Sequence, residues 1–237
     1  MDIKQKTYRR DCLLGALGAL LMLVGDLCLS VIPAHSGDSG LFAREAYLDG
    51  SWGERRLPLL IVTGLCGMAF GFFTVRASLT QIKPQYRKTR ALVLAGGVIY
   101  VASAGALHFF IGSLADWTAR PAPVLGRDET VSMVQAQYDR IMPAMGIAYA
   151  GMVLLIVASA FAVLTKKTFL PRRMFLFHLV FIQIILVLIP DIRVALGARI
   201  STWVFVLSQG SGTAALAVWM LANAIWSGRG LKEAEAD

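Results

Sequence analysis

The chain has 237 residues, 57% of them hydrophobic and only 16% charged, with a mean hydropathy of +0.63. A soluble domain carries nearer a quarter charged residues, so this composition excludes an ordinary soluble protein and makes one membrane domain the default. The formal charge of +8 does not point to nucleic acid, because the basic residues fall in short segments between apolar runs, a pattern that sets topology.

About 20 apolar residues at 1.5 Å each cover the roughly 30 Å of a bilayer core. Six stretches meet that length approximately, at 12–33, 57–79, 91–113, 142–165, 174–190 and 200–226. The expected fold is therefore all-α, a polytopic bundle of six transmembrane helices in a single domain over 1–237. A basic start, Lys4, Lys6, Arg9 and Arg10, precedes the first stretch as it would in a signal peptide. The apolar run is longer than the roughly 7 to 15 residues of a signal core, so it reads as a retained span.

Small residues recur at helical spacing along the first three spans: Gly15, Gly18, Met22 and Gly25; then Gly64, Gly67 and Gly71; then Gly97, Val101, Gly105 and His108. In lipid such stripes let helices approach closely, so they predict a compact bundle and are not by themselves evidence of function. The fifth stretch is the shortest, with Phe169 and Leu170 available to lengthen its start. In the sixth, the run from Ser208 to Thr213 is small and polar for mid-membrane, as a kink or a cavity-facing backbone would be.

Two of the connecting loops are longer than a turn requires. The loop 34–56 contains a short helical pattern, GLFAREAYL, and the group Glu45, Tyr47, Trp52 and Glu54. In the loop 114–141, Val131, Val134, Tyr138 and Ile141 share one helical face. This predicts an amphipathic helix over 128–141, capped near Asp128 and lying at the outer interface.

Charge orients the set, because Lys and Arg in short flanking segments stay cytoplasmic. Segments 1–11, 76–90, 166–173 and 227–237 hold 15 Lys and Arg against five acidic residues, and the alternate loops hold eight against nine. Both termini are therefore expected in the cytoplasm of a multi-pass cell-membrane protein, with the longer loops outside.

An ionisable residue inside a span costs a few kcal/mol on insertion scales and marks a candidate site. Asp26, His108, Tyr149 and Gln209, on four different spans, fall in one layer roughly 7 to 14 Å below the outer boundary, and Asp191 and Arg193 stand just above it in the short loop DIRVALGAR. These six are the expected ligand-binding residues. His178, near the cytoplasmic end of the fifth span, lies at another depth and reads as interfacial.

Three histidines and three separated cysteines, Cys12, Cys28 and Cys66, give no metal-ligand spacing, and no metal or cofactor is expected. No H-E-x-x-H, G-x-S-x-G or P-loop names a reaction, and no repeat of three spans suggests a transporter duplication. The expected partners are membrane lipids and a small amphipathic or lipid-like molecule held in an outward-facing pocket, not nucleic acid. Two alternatives stand beside that reading: an intramembrane enzyme using Asp26 and His108 as acid and base on a lipid or isoprenoid substrate, and a structural or accessory subunit.

Overall fold

The computed structural model describes residues 3–33, 35, 44–53, 55–196 and 202–230. It is 85% helix with no strands, so the core is built from helix packing alone. Among the described residues, four helices are long and apolar enough to cross a membrane: α1 (Ile3–Ser30), α3 (Arg56–Thr80), α4 (Arg87–Ala119) and α6 (Arg127–Leu164). Two single turns, α2 (Glu45–Leu48) and α5 (Ala122–Leu125), lie in the loops, and a 3₁₀ turn (Arg172–Phe177) leads into α7 (Leu179–Ala195) and α8 (Thr202–Gly230).

The main packing runs α7 to α8 to α1 to α3 to α4 to α6, and the closing seam between α6 and α7 is slight. The glycine stripes explain the closest pairs. A Cβ on Gly67 would sit 2.7 Å from the carbonyl oxygen of Gly18 and 3.0 Å from the Met22 nitrogen, so α1 and α3 touch backbone to backbone. Between α3 and α4, Val75 fills the notch at Gly97, Val101 the notch at Gly71, and Met68 the notch at Gly105. Gly96 admits the backbone of Leu155, which joins α4 to α6. Dispersion between closely fitted surfaces, not water exclusion, holds such contacts in an apolar solvent.

One end of the bundle gathers the described ends of the chain and two basic loops. Tyr8 donates to Asn223 Oδ1 at 2.9 Å, and the Gln5 amide reaches the Ser227 carbonyl. Asp11, almost fully buried, takes Arg76 in a two-point ion pair at 2.5 and 2.8 Å. The loops after α3 and α6 are pinned to each other by Lys83 N–H to the Lys167 carbonyl and Phe169 N–H to the Gln81 carbonyl, both 2.9 Å. All the basic segments grouped by charge in the sequence therefore share one end wherever they are described.

The opposite end is stitched by side chains that reach the last carbonyls of α1, which have no partner within the helix. Tyr47 Oη donates to the Leu29 carbonyl at 2.8 Å, Trp52 Nε1 to that of Cys28 at 2.9 Å and Arg56 to that of Val31 at 2.6 Å. Tyr47, Trp52, Leu29, Leu60 and Ala115 form a small apolar cap there. Next to it the Ser51 backbone N–H, 2.8 Å away, holds the Asp49 carboxyl below the usual range. Glu54 lies outside the described residues.

Several sequence expectations change. The helix over 128–141 forms, but as the first turns of the 38-residue α6 and not as a separate element. Pro143 does not break it, since a membrane helix recovers the lost hydrogen bond through its surroundings. The cap is Gly126 at φ +82°, and Asp128 and Glu129 sit in the first turn, where the helix dipole favours acids. The fifth apolar stretch begins at Leu179, after an extended His178, and runs on to Ala195, so Asp191 and Arg193 belong to the last turns of α7 and not to a loop. Leu170 and Met174 pack in the core ahead of that helix.

Gly67→Ala should cost about 1–3 kcal/mol, because backbone atoms on α1 cannot give way as side chains do. Gly146→Ala, with nothing within 4 Å of the added methyl, should cost nothing. Thermal unfolding of the two variants in detergent, followed by helical circular dichroism, measures the difference.

Candidate functional site

Asp26 lies one turn before the end of α1, where burial of a lone carboxylate in an apolar shell requires a partner. It has two. Thr213 Oγ1 on α8 donates to Asp26 Oδ2 at 2.7 Å, and His108 Nε2 on α4 stands 3.9 Å from Oδ1, too far for a direct hydrogen bond. Both side chains are largely buried, at 17% exposure for Asp26 and 13% for His108.

His108 is held there by two glycines. A Cβ on Gly64 of α3 would meet His108 Cβ at 2.7 Å, and one on Gly25 of α1 would meet its Nδ1 at 3.1 Å. The imidazole therefore occupies the groove where α1 and α3 have no side chains. Thr63 Oγ1 borders the same groove but bonds back to the Leu59 carbonyl at 2.8 Å, so it is already satisfied.

Two cavities meet at this point. The smaller, about 150 Å³, lies under the Tyr47 and Trp52 cap and is lined by Asp26, His108, Tyr100 and Tyr149 with Leu29, Leu60 and Ile111 on its apolar wall. The larger, about 300 Å³, runs toward the α6 and α7 seam and is lined by Ser211, Gly212, Thr213 and Gln183 together with Leu155 and Leu216. Asp26, Tyr100 and Tyr149 line both. The small polar run in α8 thus serves as cavity wall, and α8 passes through it as continuous helix.

Of the six residues expected from the sequence, the structure brings together Asp26, His108 and Tyr149. The side chains of Gln209, Asp191 and Arg193 lie outside the described residues. Tyr100, Gln183 and Thr213 were not singled out by sequence reasoning. Thr213 alone had a signal, its place in the run from Ser208.

His178 is more deeply buried than the sequence suggests. It is fully buried, paired through Nε2 with Ser159 Oγ at 3.0 Å and packed against Trp219 and Phe175. Through these contacts it ties α6 and α8 together at the start of α7. Among the described residues no three His, Cys, Asp or Glu side chains gather as a metal site would require.

Over residues 1–223 the chain matches a family of unknown function (DUF6796), and it belongs to that family. No curated protein and no solved structure matches it.

Among the described residues, the Thr213 hydroxyl is the one hydrogen-bond donor to the Asp26 carboxylate. Thr213→Val should therefore lower stability by about 1–3 kcal/mol, and Thr213→Ser should restore most of it. Unfolding midpoints of the two variants beside the unaltered protein provide the measurement.

Proposed function

We propose that this is a six-span membrane protein, with both termini cytoplasmic, that binds a small amphipathic or lipid-like molecule in an outward-facing pocket around Asp26, His108 and Tyr149. The observation that carries the proposal is the meeting of a carboxylate from α1 and an imidazole from α4, 3.9 Å apart, at the junction of two cavities. A bundle needing only mechanical contact would fill that space with apolar side chains. The larger cavity, at about 300 Å³, is at the lower end of small-molecule sites, which run from roughly 300 to 1,000 Å³.

Six spans rather than four follow if α7 and α8 also cross. The 17 residues of α7 reach about 26 Å, which a thin or locally adjusted bilayer accommodates, and α8 with 29 residues is ample. At 38 residues α6 extends to about 57 Å, so its turns ahead of Pro143 belong to the outer interface, beyond the hydrocarbon. The cytoplasmic assignment of the basic end rests on the 15 Lys and Arg gathered in its four segments.

The same pair supports a second reading, acid and base catalysis on a lipid or isoprenoid substrate. The two readings differ in what leaves the protein: a binder returns its ligand unchanged, and an enzyme does not. A structural or accessory subunit would show neither occupancy nor turnover.

Native mass spectrometry of the protein in lipid nanodiscs should show a copurifying small molecule, with occupancy falling about tenfold or more in Asp26→Asn and His108→Ala. Unfolding midpoints of those variants should stay within a few degrees of the parent. Unchanged occupancy in both variants would remove the basis for the pocket. For topology, in a cysteine-free background, a membrane-impermeant thiol reagent added to intact cells should label Val124→Cys, a position 84% exposed, and not Lys88→Cys. Labelling at Lys88 alone would invert the orientation.

A further inference from the structure

We infer that the molecule taken by this site is an organic cation, its ammonium head seated against Asp26 and its apolar body in the cavity beyond. The inference rests on the pocket reading above and adds to it the charge of the ligand.

Among the described residues, neither cavity is lined by a lysine or an arginine, and Asp26 is the one acidic residue in both linings. Asp26 lines both cavities; Thr213 occupies its Oδ2, whereas Oδ1 has His108 Nε2 no nearer than 3.9 Å. As a carboxylate oxygen it is a strong acceptor, and among the described residues it lacks a close donor. An anionic ligand would meet the carboxylate with no counter-charge to offset it. A neutral amphiphile would fill the volume and leave Oδ1 unmatched. An ammonium supplies the missing positive charge at short range, where a dry surrounding strengthens the attraction.

The other polar lining agrees. Tyr100 and Tyr149 border both cavities, and aromatic side chains attract cations, quaternary ammonium groups above all. Gln183, Ser211 and Thr213 offer neutral oxygens, and Leu155, Leu179 and Leu216 offer a wall for a short alkyl or aryl body. Charge outside the pocket does not oppose entry. The segments assigned to the outer face carry nine acidic residues against eight Lys and Arg, and those assigned to the inner face carry five against 15.

Three probes with one tail separate head charge from apolar fit: hexyltrimethylammonium, hexan-1-ol and hexanoate, titrated calorimetrically into the full-length protein in nanodiscs with empty nanodiscs as blank. The cation should bind at least tenfold more tightly than the alcohol, and the alcohol more tightly than the carboxylate. Asp26→Asn should remove the preference for the cation and leave the alcohol nearly unchanged. Equal binding of cation and alcohol, or tighter binding of hexanoate, overturns the assignment of charge while leaving the pocket reading intact. Failure of all three probes to bind the unaltered protein overturns both. The ranking in the unaltered protein decides the question even if Asp26→Asn does not fold.

Discussion

The approach of α1 to α3 at Gly18 and Gly67 is the constraint on which the rest of the bundle depends. Backbone meets backbone there, leaving no room for even a methyl group. Two turns further along α1 and one along α3, Gly25 and Gly64 extend the same bare groove, and it receives the His108 ring. The packing device and the polar site are therefore one feature. The glycines that bring the helices together also make the space in which an imidazole can stand beside a carboxylate.

The other helices take their places around that pair. α4 is fixed to α3 by interlocking side chains at Gly71, Gly97 and Gly105, which sets the rotation that points His108 inward. α8 is drawn to α1 by the bond from Thr213 to Asp26, and Gly210 admits Leu23 beside it. Tyr47, Trp52 and Arg56 close the top by satisfying carbonyls at the end of α1, groups that would otherwise be expensive to leave bare near hydrocarbon. Only the seam between α6 and α7 is weakly joined, and the larger cavity extends toward it.

Much of this was legible in the sequence for a single reason, the cost of polar groups in an apolar solvent. That cost marks the long apolar runs as helices and singles out Asp26 and His108 within them. The glycine stripes marked contact faces on α1, α3 and α4, though not which residues would meet across them. What they could not reveal was that the end members of two stripes, Gly25 and Gly64, hold a histidine. Tyr100, Thr213 and Gln183 escaped because Tyr, Thr and Gln are cheap to place in a membrane, and whether each faces a cavity depends on helix rotation set by neighbours. Helix ends were misjudged where apolarity and helicity part company: α7 continues through Asp191 and Arg193, and α6 begins 15 residues before its apolar stretch. The burial of His178 was not foreseen, because depth along the chain says nothing about which way a ring points.

Asp26 is an uneconomical choice for a purely mechanical role. Joining α1 to α8 through Thr213 requires only a neutral acceptor, and asparagine or serine would supply one without the desolvation of a charge-bearing group. A carboxylate becomes reasonable when something in the cavity answers its second oxygen. His108, 3.9 Å away, answers it in part and only when protonated; a ligand cation answers it fully. The two Tyr side chains, and the absence of basic residues among the described lining of both cavities, fit the same account. The geometry of Asp26, bonded on one side and open to space on the other, is thus better matched to a group held for exchange than to one held for packing.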